Sequence, residues 1–429
     1  MADSIQFRRG LRSTVKPLPV GMPGFIEDEE RLVIGKGDGT NTELPNKADM
    51  DNINSQMAEN TNHLNTNFIN VLYTPDTLEP MIPDANYTDG NGNYFSDAEM
   101  TIPATNNTDK FQSIINWVCS NGYPIIKVPN GNYYFSDTVK TSQAFKQPII
   151  IGDNAITTRF KYISSTTQGI IIYKGGSGAL TQAYIKNIGF DGTDTTYAIE
   201  FQGCGGVKAV NCQFGKNLSG ILFHNKNTGE FSEYNIAENC YFNQNCHRAI
   251  EYKSDNGVSS FHGSGLKSCT IDQSSSEIEP KILIGENCQP YNSPLDFQCW
   301  TRNSIPVIQN KGSRLSTFYG TIRTEPITQT AIEIVDISNN LVLLAGHFLT
   351  NNKVSKISNL KLCDAIALGS DGTVNAVIKP YSKYIKLITG TTPINLDIGD
   401  DPKDQYYFIK FTINISNYFY SYLLLVYIS

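Results

Sequence analysis

The residues of this sequence best suited to chemistry are carboxylates and histidines at matching positions of repeated segments. Cleavage of a glycosidic bond needs one group that donates a proton and one that acts as a base or nucleophile, and two carboxylates can supply both. A carboxylate beside a histidine is a second arrangement for acid–base work. The candidates for these roles are Glu200, Glu233, Glu251 and His262, and the candidates for binding a polar substrate are His224, Lys253 and Asp255.

Other kinds of site have little support in the sequence. The five histidines show no spacing typical of metal ligands, and there is no Gly-x-Ser-x-Gly nucleophile motif. None of the nine cysteines forms a Cys-x-x-Cys pair. Their odd number in a long chain does not suit a small disulfide scaffold. We therefore expect no metal and no cofactor, and we expect reduced cysteines in the core.

Charge and composition narrow the class of protein further. The net charge is −7 and basic residues form no block, which argues against nucleic-acid binding. Apolar runs fall short of the ~20 residues of a membrane-spanning helix, so membrane insertion is not expected. With 40% hydrophobic and 11% aromatic residues, the 429 residues predict a folded chain of several domains.

Two strand patterns recur beyond residue 180. Strands that alternate at period two within repeats of 20–30 residues, with no helix between them, are typical of a parallel β-helix. The first pattern occurs at Ile185–Phe190, Val210–Phe214, Ile236–Phe242 and Leu266–Ile271, and the second at Ala198–Phe201, Gly220–Phe223 and Ala249–Tyr252.

Aligning the repeats assigns a direction to each side chain. The predicted inward columns are Ile188, Cys212, Cys240 and Cys269, then Phe190, Phe214, Phe242 and Ile271, with a ladder of Asn187, Asn211, Asn239 and Ser268 beside them.

The same alignment turns the candidate site outward. Glu200 and Glu251 face out two coils apart, about 9–10 Å, at the upper edge of the separation expected for inverting hydrolysis. Gln202, His224 and Lys253 form an outward row next to them.

Two further features complete the predicted site. Glu233 lies one coil above His262. The longer repeats add residues 225–231 and 253–260, which could wall a groove, and Asp255 lies at its rim, where it could bind a sugar or replace Glu200 as the partner of Glu251.

Composition and residue spacing divide the sequence into four zones. Residues 1–45 combine Gly, Pro and short apolar strands, with a hairpin signal at 31–40. Residues 46–75 hold a heptad register with Asn60 and Asn67 in the seam, which favours a short trimeric coiled coil over an amphipathic helix packed on its own chain.

The third zone, residues 76–310, is predicted to be the parallel β-helix. A polar connector opens it, and an amphipathic helix from Asp109 to Cys119, with its N-cap at Thr108 or Asp109, would cover the open end of the coils. The fourth zone, residues 311–429, is predicted to be a C-terminal β region for trimerisation or receptor binding.

Several segments resemble bacteriophage tailspikes and tail fibres with a pectate-lyase-like β-helix. Asn107–Gln112 followed by Val128–Tyr133 is similar to the opening of such helices, and Phe231–Phe242 with Ser260–Leu266 to their central coils. Ile5–Gly10 with Gly24–Thr40 is similar to virion-attachment modules, and together the likeness covers about residues 5–45 and 105–275.

The resemblance implies an all-β protein: a right-handed parallel β-helix with an N-terminal attachment module, a coiled coil and a C-terminal β region. It implies a homotrimer in the virion that joins tail proteins through its N-terminus and acts outside the host cell on a surface polysaccharide. Degradation of that polysaccharide by hydrolysis or elimination is favoured, and a non-catalytic adhesive or structural appendage is the alternative. A secreted bacterial lyase is disfavoured, because an attachment module is expected and a signal peptide is not.

Overall fold

The computed structural model describes residues 68–323 except 90, 122–124, 142–147, 164, 175–182 and 304, and beyond that range only the backbone of strands. The chain divides into two units, Met1–Asn67 and Phe68–Ser429.

The first unit contains a four-stranded sheet. Its strands are β1 (Arg8–Gly10), β2 (Pro23–Ile26), β3 (Arg31–Gly35) and β4 (Asn41–Glu43). β1 pairs with β2 in parallel, and β2, β3 and β4 pair antiparallel. The pairing of β3 with β4 confirms the predicted hairpin.

The predicted coiled coil lies outside the described residues as far as Asn67. Its predicted end at Pro75 is wrong, because Phe68–Asn70 form strand β5. The reason is burial: Ile69 and Val71 belong to the core of the second unit, 3% and 0% exposed.

The second unit is a parallel β-solenoid with three ladders of strands. The first ladder contains β5, β8 (Ile125–Val128), β11 (Ile149–Gly152), β14 (Tyr184–Lys186), β17 (Lys208–Val210), β20 (Ile236–Glu238), β24 (Gly265–Asp272), β27 (Ser293–Thr301), β29 (Ser316–Pro326), β31 (Leu341–Thr350), β33 (Ala365–Leu368), β35 (Tyr384–Thr389) and β37 (Gln405–Ile415).

The second ladder joins the first at β24. It contains β9 (Gly131–Phe135), β12 (Thr158–Tyr162), β15 (Gly189–Asp191), β18 (Gln213–Phe214) and β21 (Tyr241–Phe242).

The third ladder carries the outward side chains of the predicted site. It contains β10 (Val139–Lys140), β13 (Gln168–Tyr173), β16 (Tyr197–Gln202), β19 (Asn217–Asn225), β22 (Cys246–Ser254), β25 (Ile282–Ile284), β28 (Ile308–Asn310), β30 (Ile332–Asp336), β32 (Val354–Leu362), β34 (Thr373–Ile378) and β36 (Ile394–Asp397).

The strands from β8 to β28 make about seven turns, and the ladders continue across residue 310 through the pairs β27–β29 and β28–β30. The last strand, β38 (Tyr418–Ile428), turns back antiparallel on β37. Short pairs lie outside the ladders: β6 (Tyr87–Thr88) with β7 (Tyr94–Phe95), and β23 (Ser259–Ser260) with β26 (Cys288–Gln289).

The predicted inward columns are confirmed. Phe214 stacks between Phe190 and Phe242, with ring centroids 5.4 and 4.7 Å apart and planes within 13°. The sulfurs of Cys212, Cys240 and Cys269 are free and buried, and each donates to a carbonyl of the coil before it, at 3.5, 3.4 and 3.3 Å.

The polar column beside them marks a sharp turn. Asn187, Asn211, Asn239 and Ser268 all have positive φ, between 51° and 57°. Asparagine adopts this left-handed conformation more easily than most residues. This polar column therefore marks the residues whose left-handed backbone conformation bends each coil between its first and second strands.

One helix, α1 (Thr108–Asn121), packs over the first turn. The amide of Phe111 donates to the carbonyl of Asn107, so the N-cap is Asn107, one residue before the prediction. Phe111 is fully buried, and its ring lies 5.8 Å from that of Phe135 and 5.5 Å from that of Phe160. Among the described residues no helix is long and apolar enough to span a bilayer.

Candidate functional site

The outer side of β16, β19 and β22 has the register that the repeats predicted. Glu200 aligns with Leu222 and Leu222 with Glu251. Gln202 aligns with His224, and His224 with Lys253, in the neighbouring row.

The exposure of these side chains differs from the prediction. We expected an outward, solvated strip, but Glu200 is 1%, His224 2% and Glu251 7% exposed. A buried charge is tolerated only with partners, because removal from water costs several kcal/mol per ion. The partners are therefore what define this surface.

Glu200 begins a chain of polar contacts that leads to the surface. Its carboxylate accepts from Gln168 Nε2 at 2.5 Å and contacts His224 Nδ1 at 2.7 Å. The other imidazole nitrogen, Nε2, lies 3.0 Å from Asp255 Oδ2. Asp255 also pairs with Lys253 at 3.2 Å, and its side chain is 38% exposed. One imidazole thus joins a buried carboxylate to an accessible one.

The charge state of Asp255 follows from these neighbours. Burial alone would raise its pKa, but His224 and Lys253 outweigh burial and hold the pKa below its usual 3.8. Asp255 is therefore ionised at neutral pH and can act as a base, a nucleophile or an acceptor for sugar hydroxyls.

Glu251 belongs to a separate cluster. Its carboxylate pairs with Arg248 at 2.5 Å, and the same guanidinium pairs with Glu279 at 2.7 Å. Leu222, 1% exposed, lies between Glu251 and Glu200 in the register. The structure does not bring the two predicted glutamates to one accessible site.

The two loops predicted to wall a groove, 225–231 and 253–260, are bonded to each other. The Asn225 side chain donates to Ser259 Oγ at 2.8 Å, and the amide of Asp255 donates to the carbonyl of Asn225 at 3.1 Å. Asp255 is therefore held at the start of a braced pair of loops.

Glu230 is a buried carboxylate that the sequence analysis missed. It is 4% exposed and accepts from the backbone amides of Lys226 and Asn227 at 2.8 and 2.9 Å. Gln202 Nε2 donates to it at 3.4 Å. These contacts brace the first loop, since Glu230 holds the amides of Lys226 and Asn227 where the loop begins.

Glu233 and His262 lie one coil apart, as predicted, but take different partners. Glu233 accepts from Ser260 Oγ at 2.6 Å. His262 Nδ1 lies 3.0 Å from the hydroxyl of Tyr234, and its ring stacks on Tyr291. The predicted carboxylate–histidine pair is not formed. Glu233 and His262 instead lie just after the two loops, each bonded to its own partner.

A second polar site lies where β16, β19 and β22 begin. It is a groove of about 610 Å³ that the sequence analysis missed. Its lining includes Thr88, Asn91, Tyr94, Lys161, Asp191, Asp194, Lys216, Asn243 and Asn245.

A chain of charges leads from this groove into the protein. Asp194, with a side chain 58% exposed, lies 3.1 Å from His247 Nε2, and His247 Nδ1 lies 2.8 Å from Glu277. Glu277 pairs at 2.7 Å with Lys281, and both side chains are fully buried. The bond to Glu277 raises the pKa of His247 against the effect of burial, and Asp194 adds to the rise.

Asp191 supplies a second charge to the groove. Burial alone would raise its pKa, but Lys161 and Arg159 outweigh burial and hold it below its usual value. Lys161 Nζ lies 2.5 Å from Asp191 Oδ2, and Arg159 Nε 3.0 Å from the same oxygen.

Within the described part of the chain, no group of three or more His, Cys, Asp or Glu side chains could hold a metal ion.

The fold and the site together define a parallel β-solenoid with polar networks on the outer side of one ladder. No protein-family model and no curated protein matches the chain.

Several solved structures are similar to it. Geobacillus virus E2 ORF18 is 10% identical with a TM-score of 0.48, over 96% of this chain and 75% of that one. The catalytic domain of a GH87 alpha-1,3-glucanase is 10% identical with a TM-score of 0.35, over 79% and 71%. DFA-IIIase from Arthrobacter chlorophenolicus A6 is 12% identical with a TM-score of 0.39, over 77% and 84%. Identities this low support no inference about activity.

Proposed function

We propose that this protein is a bacteriophage tail spike that binds a host surface polysaccharide and cleaves it at the loop edge of the solenoid. The observation that carries the proposal is the chain Glu200–His224–Asp255, which links a buried carboxylate to an accessible one. Buried charge networks lower stability unless their geometry is excellent, and they cluster at functional sites. The sequence resemblance to tailspikes points the same way.

The contacts suggest a division of roles. Asp255, kept ionised by His224 and Lys253, is the base or nucleophile. His224 orients Asp255, and buried Glu200 orients His224, so both act through their partners. Glu233, half-buried on the neighbouring coil beside Ser260, is the proton donor. This arrangement uses Asp255 in place of Glu251.

Of the three remaining predicted residues, two support binding and one stabilises a strand. Lys253, with a side chain 45% exposed, and His262 at the far end of the loop contact the sugar chain. Glu251, held by Arg248, stabilises the outer side of β22.

The assembly follows from the expected N-terminal zones. The coiled coil predicted from residue 46, which must end before strand β5, would join three chains, and residues 1–45 would attach them to the tail. Sedimentation at micromolar concentration should give three times the 47.5 kDa chain mass. A variant lacking residues 1–67, which keeps strand β5 and the core residues Ile69 and Val71, should still bind polysaccharide but should not join virions. A monomer, or loss of polysaccharide binding on truncation, would contradict this assembly.

A second function is favoured by one observation. Glu200 and Glu251 are covered and already bonded to protein groups. A spike that only adheres to polysaccharide would need no free acid–base pair on this ladder.

The decisive experiment incubates purified protein with a panel of bacterial capsular and wall-linked polysaccharides. New reducing ends would report hydrolysis, and ultraviolet absorbance of unsaturated products would report elimination. Asp255→Asn and Glu233→Gln should each lower the rate by about 10²–10⁴. Glu99→Gln, an exposed glutamate of the connector, is the matched control and should cleave like the parent.

The outcomes separate the two functions. If the parent binds without cleaving, the adhesive function is correct. If the parent cleaves and both site variants keep its rate, the catalytic site lies elsewhere.

A further inference from the structure

Three aromatic rings line the far end of the loops, on successive coils. The rings of His262 and Tyr291 are parallel within 5°, with centroids 4.5 Å apart. The ring of Tyr234 lies 4.8 Å from that of His262, and its hydroxyl lies 3.0 Å from His262 Nδ1. We call Tyr234, His262 and Tyr291 the aromatic platform.

The platform lies outside the hydrophobic core. Tyr234 is 47% exposed, and His262 and Tyr291 are half-buried. The core already holds a dozen fully buried aromatic side chains, among them Phe242 and Tyr252. Packing of the solenoid therefore does not account for the platform.

The backbone at Tyr234 is strained. Its φ is 56°, a left-handed conformation that bulky residues rarely adopt. The same turn position in neighbouring coils holds Gly206, Gly263 and Asn292, with φ of 73°, 64° and 47°. Glycine and asparagine suit this conformation, and tyrosine does not. Strain of this kind is concentrated at functional sites.

Gly263 makes room for the platform. A Cβ at this position would lie 2.7 Å from Cδ1 of the Tyr234 ring, well inside contact distance. The ring of Tyr234 thus occupies the space beside Gly263 of the next coil, where it meets the ring of His262 at an interplanar angle of 53°.

Polar groups surround the rings. Glu233 and Ser260 are bonded to each other at 2.6 Å directly beside Tyr234, and Asn292 Nδ2 lies 3.5 Å from His262 Nε2. The exposed ring of Tyr234, which lies at the end of this group of rings and is edged by amide, hydroxyl and carboxylate groups, matches a pyranose ring, which has an apolar face and a rim of hydroxyls.

We propose that the aromatic platform is a stacking subsite for a hexopyranose unit of the polysaccharide. The subsite rests on the proposed function and places one sugar at the end of the loop that begins at Asp255. The strained backbone at Tyr234 is then retained for binding at the expense of stability.

The test compares variants chosen for this backbone. Tyr234→Asn puts at 234 the residue that the same turn uses at 292, and Tyr234→Phe keeps the ring. Tyr291→Ala removes the last ring. Tyr87→Ala, a 42%-exposed tyrosine of the β6–β7 hairpin, is the control. Binding is titrated with the polysaccharide that the parent binds best, and the urea midpoint of unfolding is measured for each variant.

Tyr234→Asn and Tyr291→Ala should each weaken binding about tenfold. Tyr234→Phe and Tyr87→Ala should bind within about twofold of the parent. The urea midpoint of Tyr234→Asn should equal or exceed that of the parent, because asparagine relieves the strain.

Two results would overturn the subsite, and they differ in their reach. Parental binding by both Tyr234→Asn and Tyr291→Ala would remove the subsite and leave the proposed function intact. Failure of the parent to bind any polysaccharide of the panel would remove both.

Discussion

Two neighbouring residues of β19, Phe223 and His224, are buried on opposite sides of one strand. Phe223 points into the solenoid and is 0% exposed, and His224 points outward and is 2% exposed. Phe223 lies between Phe201 and Tyr252, at ring centroid distances of 5.9 and 5.0 Å. The burial is equal, but the means of stabilisation differ.

On the inner side, the same residue types recur from coil to coil, because each coil meets the same apolar neighbours above and below. The outer side does not repeat: its row reads Gln202, His224, Lys253, and each polar group finds its own partner. Buried polar groups need individual hydrogen bonds, whereas apolar groups need only contact. Chemistry specific to this protein is therefore to be sought on the outer side.

The largest effect is expected on the inner side. Phe223→Ala should lower the free energy of unfolding by about 3–5 kcal/mol, because the neighbouring rings of Phe201 and Tyr252 cannot close the cavity. Urea unfolding followed by far-ultraviolet circular dichroism measures it. Phe231→Ala, in the loop and 37% exposed, should change stability by less than about 1 kcal/mol. Equal losses in the two variants would contradict the inward column.

Substitutions on the outer side should lower stability because each one leaves a buried hydrogen-bond partner behind. His224→Leu leaves Glu200 buried with Gln168 alone and should cost about 2–3 kcal/mol. Glu200→Leu should cost a similar amount, but the double variant should cost less than the two losses added together. Strict additivity in this cycle would show that the buried contact between Glu200 and His224 contributes nothing.

A third variant tests how closely the inner side is packed. Gly220 occupies the position held by Ala198 and Ala249 in the neighbouring coils. A Cβ there would lie 2.6 Å from Phe242 and 3.0 Å from Phe214, so Gly220→Ala should destabilise by about 1–3 kcal/mol. A stabilised Gly220→Ala variant would mean that the phenylalanine stack moves aside freely.

The sequence predicted the inner side well because its signal is periodic. Alternation fixed the directions of Cys212, Phe214 and Ile221, and the spacing of the repeats fixed which residues align. Gly220 shows the limit of that method, because the ring that fills its Cβ space comes from another strand.

The sequence predicted which side chains of the outer side point outward, but it did not predict how exposed to solvent they are. Whether Glu200 meets water depends on Gln168 and on loops without periodicity. The chain from Asp194 to Lys281 was missed because Asp194, His247 and Glu277 come from three separate coils, and only His247 lies in a repeated strand. Tyr234 was overlooked because its significance lies in a backbone angle that the sequence does not display.

The smallest effect concerns the pH dependence of stability at Asp255, the exposed end of the contacts Glu200–His224–Asp255. The pKa of Asp255 is lower in the folded protein than its usual 3.8. Its contribution to stability is therefore fully present above the unfolded pKa and is lost as the pH falls through the folded pKa. Because the side chain is 38% exposed, solvent screens the interaction, and the contribution should stay below about 1 kcal/mol. Thermal unfolding of the parent and of Asp255→Asn between pH 7 and pH 2.5 measures it. The difference between their unfolding temperatures should shrink toward the acid end, whereas Glu99→Gln should follow the parent throughout. A difference that stays constant from neutral to acid pH would show that Asp255 is not held ionised by His224 and Lys253.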